Sequence, residues 1–195
     1  MEIRLGAKFD SFDDFDKAFR RFQVATHTLF VKKTTKSVEV VNSHLSAQAV
    51  KLEKKLQFAN AAFTCKHGGC HRTTGTGIRP NQRTMKKDCP AQVVIAARRS
   101  TQQLEITSVV LQHNHETTSE IYNSYPECRR LNDDEKQLVQ PLLEMRVQPS
   151  MVVQRLHEKT GKTIIAKDLQ NLKGKNSHRD NAIQLTEAIE ECRSK

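Results

Sequence analysis

The chain has 195 residues, of which 36% are apolar, and it carries a net charge of +10. It has no run near the 18 consecutive apolar residues of a membrane span and no apolar signal-peptide core, so neither a membrane-spanning nor a secreted protein is expected. In a cytosolic or nuclear protein thiols stay reduced, and Cys/His clusters there bind metal more often than they form disulfides. Residues 1–120 hold 19 Lys and Arg against 11 Asp and Glu, an excess of 8 that suits a polyanionic partner.

The first predicted element is an amphipathic helix over residues 11–26. Ser11 is placed to cap its start, and Asp14, three residues later, completes a start that resembles a capping box. Four phenylalanines recur at helical spacing along one face: Phe12, Phe15, Phe19 and Phe22. We expect this aromatic face to pack against a sheet.

Several segments with β-branched residues or alternating polarity predict a small antiparallel sheet of four or five strands. These strand segments are residues 28–33, 37–42, 57–64, 92–98 and 104–112. The first two are joined by a short polar stretch and predict a hairpin. Residues 45–56 have a helical composition and predict a helix inserted within the sheet. The predicted class is therefore α+β, with an N-terminal helix on the sheet.

A helical segment is predicted in the C-terminal part, after a polar connector at residues 119–131. Apolar periodicity predicts three short helices over 132–173, and Asn132 with Glu135 forms a capping box at their start. The tight turns between these predicted helices are compatible with a helix-turn-helix arrangement and equally with a plain helical bundle. Residues 174–195 predict a linker and a final helix.

The C-terminal helices differ from the rest of the chain in charge. Residues 121–195 hold 13 Lys and Arg against 11 Asp and Glu and are almost neutral. We expect them to offer a surface for a homodimer or another protein partner, or a second DNA contact.

Four residues of metal-binding types, two cysteines and two histidines, fall at the ends of predicted strands. Cys65 follows one strand, Cys89 precedes another, and His113 and His115 end the last. Zinc prefers four thiolate and imidazole ligands in a tetrahedron. Residues two apart on a strand point the same way, so the two imidazoles share a side and Asn114 is expected to turn away.

The spacing leaves the second ligand open. Twenty-three residues separate Cys65 from Cys89, and the same number separates Cys89 from His113, unlike the short Cys-x2–4-Cys knuckle of common zinc fingers. Cys70 lies five residues after Cys65 and can take the place of Cys89. Two nearby histidines, His67 and His71, are interpreted as polar loop residues.

No pattern in the sequence predicts catalysis. A Cys65–His67 dyad lacks an orienting third group, and no cluster of carboxylates suits two-metal chemistry. We therefore expect a protein that is not an enzyme and has no small-molecule substrate.

The loop between the first two candidate ligands is basic, with six Lys and Arg and one acidic residue, Asp88. Such cations neutralise DNA phosphates, although a solvated loop would show the same composition. With two arginines near a strand end, the candidate DNA-binding residues are Lys66, Arg72, Arg79, Arg83, Lys86, Lys87, Arg98 and Arg99.

Taken in order, these features resemble a known family. The helix FDSFDDFDKAFRRFQ is followed by FTCKHGG, then DCPAQVVI, then LQHNHE. Over about residues 8–118 this order is similar to the FAR-type (far-red impaired response) DNA-binding domain of the WRKY–GCM zinc-finger superfamily. Such domains occur at the N-terminus of Mutator-like transposases and of proteins derived from them, including SWIM-type zinc-finger proteins.

The resemblance implies one structural zinc ion that fastens an antiparallel sheet in a domain spanning residues 1–118. It places the ligands on Cys65, Cys89, His113 and His115. It also implies a nuclear, transposase-derived DNA-binding module. The alternatives are a zinc-stabilised protein-interaction module and the N-terminal part of a larger transposase-like protein. The WRKYGQK string is absent, so the resemblance assigns no base-reading residues.

Overall fold

A computed structural model describes residues 2–46, 48–70 and 84–172, and the chain divides into two units, Met1–Tyr122 and Asn123–Lys195. The predicted α+β class is confirmed, because helices accompany a five-stranded antiparallel sheet. Within the parts described, no helix is long and apolar enough to cross a membrane.

The first helix, α1, spans Phe12–Thr26, close to its prediction. Its cap forms as expected: the Ser11 hydroxyl accepts a hydrogen bond from the Asp14 amide at 3.1 Å and donates one to the Asp14 carboxylate at 2.6 Å. The helix ends at Thr26, and the next residue, His27, caps its last turn with a left-handed backbone (φ 53°).

The sheet has the strand order β1-β5-β4-β3-β2, with every neighbouring pair antiparallel. Its strands are β1 (Lys8–Phe9), β2 (Phe30–Ser37), β3 (Phe58–Cys65), β4 (Gln92–Arg98) and β5 (Gln103–Val110). The aromatic face of α1 packs on this sheet: the Phe15 ring lies 5.4 Å from Phe9 and 5.4 Å from Phe63, centroid to centroid. Alternate residues of β3, β4 and β5 complete the core beneath the helix.

The predicted hairpin of residues 28–33 and 37–42 is wrong. The polar stretch between them continues as part of β2, which pairs along its length with β3. The second segment is instead helix α2 (Val38–Ser43), capped by the Ser37 hydroxyl, which accepts from the Val40 amide at 3.3 Å. The serine cap and the burial of Val38 outweigh the β propensity of its valines.

The helix predicted over residues 45–56 is also wrong. Its described residues form a loop that ends in a short 3-10 turn, Lys54–Leu56. The Asn42 side chain holds this loop, accepting from the Leu52 amide at 3.0 Å and donating to the Leu52 carbonyl at 2.8 Å. Leu52 and Leu56 are buried in the core, so their helical spacing reflects contacts made from a loop.

The second unit is built from helices around its own apolar core. The segment predicted as a polar connector, 119–131, contains two short helices, α3 (Ser119–Ser124) and α4 (Pro126–Arg129). This segment is held by the buried side chain of Tyr125 and by an ion pair between Arg129 and Asp168 at 2.9 Å. The periodicity of the sequence reveals neither contact.

Three further helices follow, as predicted: α5 (Asp133–Glu144), α6 (Pro149–Thr160) and α7 (residues 166–172). The capping box of Asn132 and Glu135 is present in both directions, at 2.7 and 2.8 Å. The buried core comprises Val139, Leu143, Val152, Leu156, Ile164 and Leu169. The linker and final helix predicted for residues 174–195 lie outside the described residues.

Candidate metal centre

Two thiols and two imidazoles converge where β3 ends and β4 begins. One ligand atom from each of Cys65, Cys89, His113 and His115 lies within 4.8 Å of all the others. Cys65 Sγ lies 3.1 Å from His115 Nε2, and Cys89 Sγ lies 3.4 Å from His113 Nδ1. The two imidazole nitrogens, His113 Nδ1 and His115 Nε2, are 3.2 Å apart.

These distances can be compared with those of a zinc site. With Zn–S near 2.3 Å and Zn–N near 2.1 Å, the corners of a tetrahedron lie roughly 3.4–3.8 Å apart. The distances of 3.1, 3.2 and 3.4 Å are at or below this range, and the bound of 4.8 Å for the whole group lies above it. Small shifts of the side chains would therefore bring the four atoms to the corners of a zinc tetrahedron. Both cysteines are buried and both histidines are partly buried, so a bound ion is shielded from solvent. The residues therefore fit a metal ion with mixed N/S ligation.

Local backbone structure explains how the four residues meet. Cys65 is the last residue of β3, and its amide donates to the Ala91 carbonyl at 2.9 Å, which ties the two cysteine-bearing segments together. The last strand, β5, ends at Val110 and not at residue 112 as predicted. His113 and His115 therefore lie in a bend beyond the sheet, and that bend, not strand alternation, brings their imidazoles together.

Asn114 does not turn away from the site, contrary to the prediction. Its side-chain amide donates to the backbone carbonyl of Lys87 at 2.9 Å and to that of Asp88 at 3.4 Å. The prediction assumed a strand at this position, whereas a bend directs Asn114 toward the segment that leads into Cys89. The tripeptide His-Asn-His is thus anchored at its middle residue.

Burial sets the protonation of the metal-free cluster. It raises the pKa of the Cys65 thiol to about 12, and the neighbouring Cys89 adds to this rise, while a hydrogen bond from the His67 amide opposes it. Burial is also the main cause that lowers the pKa of His113, and electrostatic repulsion from His115 and His67 lowers it further. His113 is therefore a neutral imidazole at pH 7 with a lone pair to donate, and a metal ion would displace the proton of Cys65.

The alternative ligand, Cys70, stands apart from the cluster. Cys70 is exposed and does not belong to the group of four, whereas Cys89 is buried within it. His71 lies outside the residues that the structure describes.

His67 is a residue whose place the sequence interpretation missed. It lies in a turn, in line with its interpretation as a loop residue, but it is only 6% exposed, and its ring lies 4.2 Å from that of His115, centroid to centroid. Its amide donates to Cys65 Sγ at 3.4 Å, and its Nδ1 is 2.5 Å from the Met85 carbonyl. The signal available in the sequence was its position two residues after a candidate ligand cysteine.

The predicted DNA-binding residues fall into separate groups. Lys66 lies next to Cys65, and Lys86 and Lys87 are exposed just before Cys89. Arg98 and Arg99 lie at the opposite end of β4, about 20 Å away along a seven-residue strand. Arg98 is also paired with Glu105 at 2.6 Å. Three predicted contacts, Arg72, Arg79 and Arg83, lie outside the described residues.

Strand β2 carries cations that were not among the predicted contacts. It is an edge strand, and its residues 32–36 are exposed. The Lys32 ammonium lies 5.1 Å from the Phe12 ring centroid and 4.9 Å from that of Phe58, so it covers an aromatic pair. Lys33 and Lys36 are exposed, and no described carboxylate forms an ion pair with them.

Comparison with known families gives one match. Residues 3–115 match the family described as zinc finger SWIM domain-containing protein 3, N-terminal. The matched region takes in α1, all five strands and each member of the Cys/His cluster, and it ends on His115. The expected relation to SWIM-type zinc-finger proteins is thereby confirmed. No curated protein and no solved structure matches the chain.

Proposed function

The chain belongs to the family of zinc finger SWIM domain-containing protein 3 N-terminal domains, and we propose that its first unit is a DNA-binding module stabilised by one structural zinc ion. The observation that carries this proposal is the group of four N/S ligands, whose atoms lie within 4.8 Å of one another. Two thiolates and two imidazoles suit tetrahedral zinc. Four protein ligands complete the tetrahedron, as in structural rather than catalytic zinc sites.

Zinc would contribute to folding by joining distant parts of the sheet. Its ligands come from the end of β3, the segment before β4 and the bend after β5. Residues 84–91, which include Cys89, belong to no helix or strand, so a metal ion would fix a segment outside the sheet. Binding free energy at such a site appears as folding free energy.

DNA is the partner that the charge distribution favours. The first 120 residues carry a net excess of 8 positive charges, and described lysines such as Lys33, Lys36, Lys86 and Lys87 are exposed. Lysines of this kind contact backbone phosphates without reading sequence. The FAR-type resemblance supports the same proposal and extends it to a nuclear, transposase-derived protein. We further propose that the protein is not an enzyme, because its sequence offers no cluster of carboxylates suited to two-metal chemistry.

Zinc analysis tests the metal site. Purified wild-type protein is expected to contain one zinc ion per chain, and Cys89→Ser is expected to lose it because a hydroxyl replaces a thiolate ligand. The matched control is Cys70→Ser, which alters an exposed cysteine outside the group and is expected to keep its zinc. Loss of zinc in Cys70→Ser alone would reverse the ligand assignment.

Duplex affinity at several salt concentrations tests the DNA proposal. Each phosphate neutralised contributes a slope of about −0.9 to the dependence of log affinity on log salt. The double variant Lys33→Ala/Lys36→Ala is therefore expected to bind more weakly and with a shallower slope. Lys55→Ala, which removes a lysine paired with Glu53 and not among the candidate DNA-binding residues, serves as the control. Affinity that responds neither to salt nor to a zinc chelator would reject the proposal.

A second candidate function, protein interaction, has support in the second unit. Met145 and Met151 are 69% and 59% exposed, and Ile165 is 45% exposed. Exposed apolar side chains of this size suit a homodimer or a protein partner. Sedimentation velocity of the whole chain tests the homodimer: a dimer that dissociates on Met145→Lys or Met151→Lys would support it. A monomer at every concentration would reject it.

A further inference from the structure

We infer that His67 and Asn114 form an outer layer of the metal centre, positioning Cys89 and His115 for the ion without ligating it. This inference rests on the proposed zinc site. It concerns a histidine that the sequence analysis interprets as a polar loop residue and an asparagine that it expects to turn away from the site, and it gives both a role in metal affinity.

His67 joins three parts of the site. Its ring lies 4.2 Å from the His115 ring, and its Nδ1 is 2.5 Å from the Met85 carbonyl. Its own carbonyl accepts from the Lys87 amide at 2.8 Å and from the Cys89 amide at 3.2 Å. One buried residue thus packs on a histidine ligand and holds the backbone of a cysteine ligand.

Asn114 makes the matching link from the other side. It lies between the two ligand histidines, and its amide donates to the Lys87 carbonyl at 2.9 Å. The bend that carries His113 and His115 is thereby tied to the segment that leads into Cys89. His67 and Asn114 hold this segment from different directions.

The segment they hold has no regular structure of its own. Residues 84–91 belong to no helix or strand. The position of Cys89 therefore depends on hydrogen bonds to its neighbours, and the contacts of His67 and Asn114 supply them at Met85, Lys87 and Cys89. Outer residues that orient metal ligands typically change metal affinity by about 10–100-fold.

Cobalt(II) binding to the full chain tests the inference, because its absorption spectrum reports the ligand set as well as affinity. We expect His67→Ala and Asn114→Ala to bind Co²⁺ about 10–100-fold more weakly while keeping the thiolate and tetrahedral bands of the wild type. His67→Asn retains an N–H donor at the same position along the side chain and is expected to recover part of the affinity. His44→Asn changes an exposed histidine outside the site and controls for histidine replacement itself.

Two results would overturn the inference. One is wild-type Co²⁺ affinity in both His67→Ala and Asn114→Ala, which would show that neither side chain positions a ligand. The other is loss of the tetrahedral bands in His67→Ala with no recovery in His67→Asn, which would make His67 a ligand. Wild-type protein that binds neither cobalt nor zinc would instead reject the proposed function, so the two failures are distinguishable.

Discussion

His115 Nε2 lies 3.1 Å from Cys65 Sγ, although 50 residues separate the two in the chain. The sheet order explains this contact: β3 and β5 flank β4, and the chain leaves both at the same end of the sheet. An ion at this position would link the end of β3 to two segments outside the strands, the one that carries Cys89 and the one that carries His113 and His115. Closing so long a loop carries an entropy penalty that metal binding offsets.

Gly68 is predicted to be required for the metal centre. A Cβ at this position would lie 2.9 Å from the Cys65 carbonyl oxygen and 3.3 Å from that of Cys89. Both neighbours are backbone atoms of cysteines in the cluster, so they can move only by displacing the thiols. We expect Gly68→Ala to weaken zinc binding at least tenfold and to lower the free energy of unfolding by about 1–3 kcal/mol. Competition with a chromophoric chelator measures the affinity.

The neighbouring glycine provides the control. Gly69 has a left-handed backbone (φ 82°), but a Cβ there would meet no atom within 4 Å. Gly69→Ala is therefore expected to lose about 1–2 kcal/mol of stability through backbone strain while zinc affinity stays unchanged. Equal losses of zinc affinity in the two variants would contradict the steric explanation.

Zinc binding is predicted to release protons. Burial raises the pKa of Cys65 to about 12, so its thiol is protonated at pH 7 and must lose its proton to ligate zinc. The pKa of His113 is lowered, so that imidazole is already neutral and releases none. Zinc affinity should therefore fall as the pH falls, by about tenfold per pH unit for each proton released.

Calorimetry in buffers of different ionisation enthalpy measures this release. The observed binding enthalpy should vary with the buffer in proportion to the protons released, with at least one from Cys65. Cys65→Ser removes that proton together with the ligand. A binding enthalpy independent of buffer would contradict the raised pKa.

The elements that the sequence predicts well have local causes. The Ser11 cap and the spacing of the phenylalanines define α1, and Asn132 with Glu135 defines the start of α5. Residues 92–98 form β4 over the predicted range. In each case the residues that determine the element lie within a few positions of one another, so the local sequence pattern is sufficient to predict the element.

The incorrect predictions concern segments whose structure is determined by contacts with residues distant in the sequence. The β-branched residues after Ser37 form a helix because Val38 is buried against residues remote in sequence. Leu52 and Leu56 have helical spacing but reach the core from a loop held by Asn42. The roles of His67 and Asn114 depend on backbone carbonyls of residues 85–88, which no residue pattern specifies.

The core beneath α1 is predicted to depend strongly on Phe15. This side chain is fully buried, and its ring lies 5.1 Å from Phe19 and 5.4 Å from Phe63. Phe15→Ala should lower the free energy of unfolding by about 3–5 kcal/mol, because it removes buried apolar surface and leaves a cavity. Urea unfolding with saturating zinc, followed by circular dichroism, measures this change.

Val24 lies on the same helix and provides the control for Phe15. It is 57% exposed, so Val24→Ala is expected to change stability by no more than about 0.5 kcal/mol. Similar losses in the two variants would show that the aromatic face does not form the core.

The stability of the second unit is predicted to depend on Asn132 and not on zinc. The Asn132 side chain accepts from the Glu135 amide at 2.7 Å, and the Glu135 carboxylate in turn accepts from the Asn132 amide and from Lys162, both at 2.8 Å. Asn132→Ala should destabilise this unit by about 0.5–2 kcal/mol, whereas Asn132→Ser keeps a capping oxygen and most of the stability. Thermal unfolding with and without a zinc chelator measures both effects. Because none of the four candidate ligands lies in residues 123–195, the loss should be the same in both conditions. A loss that appears only with the chelator would contradict this independence.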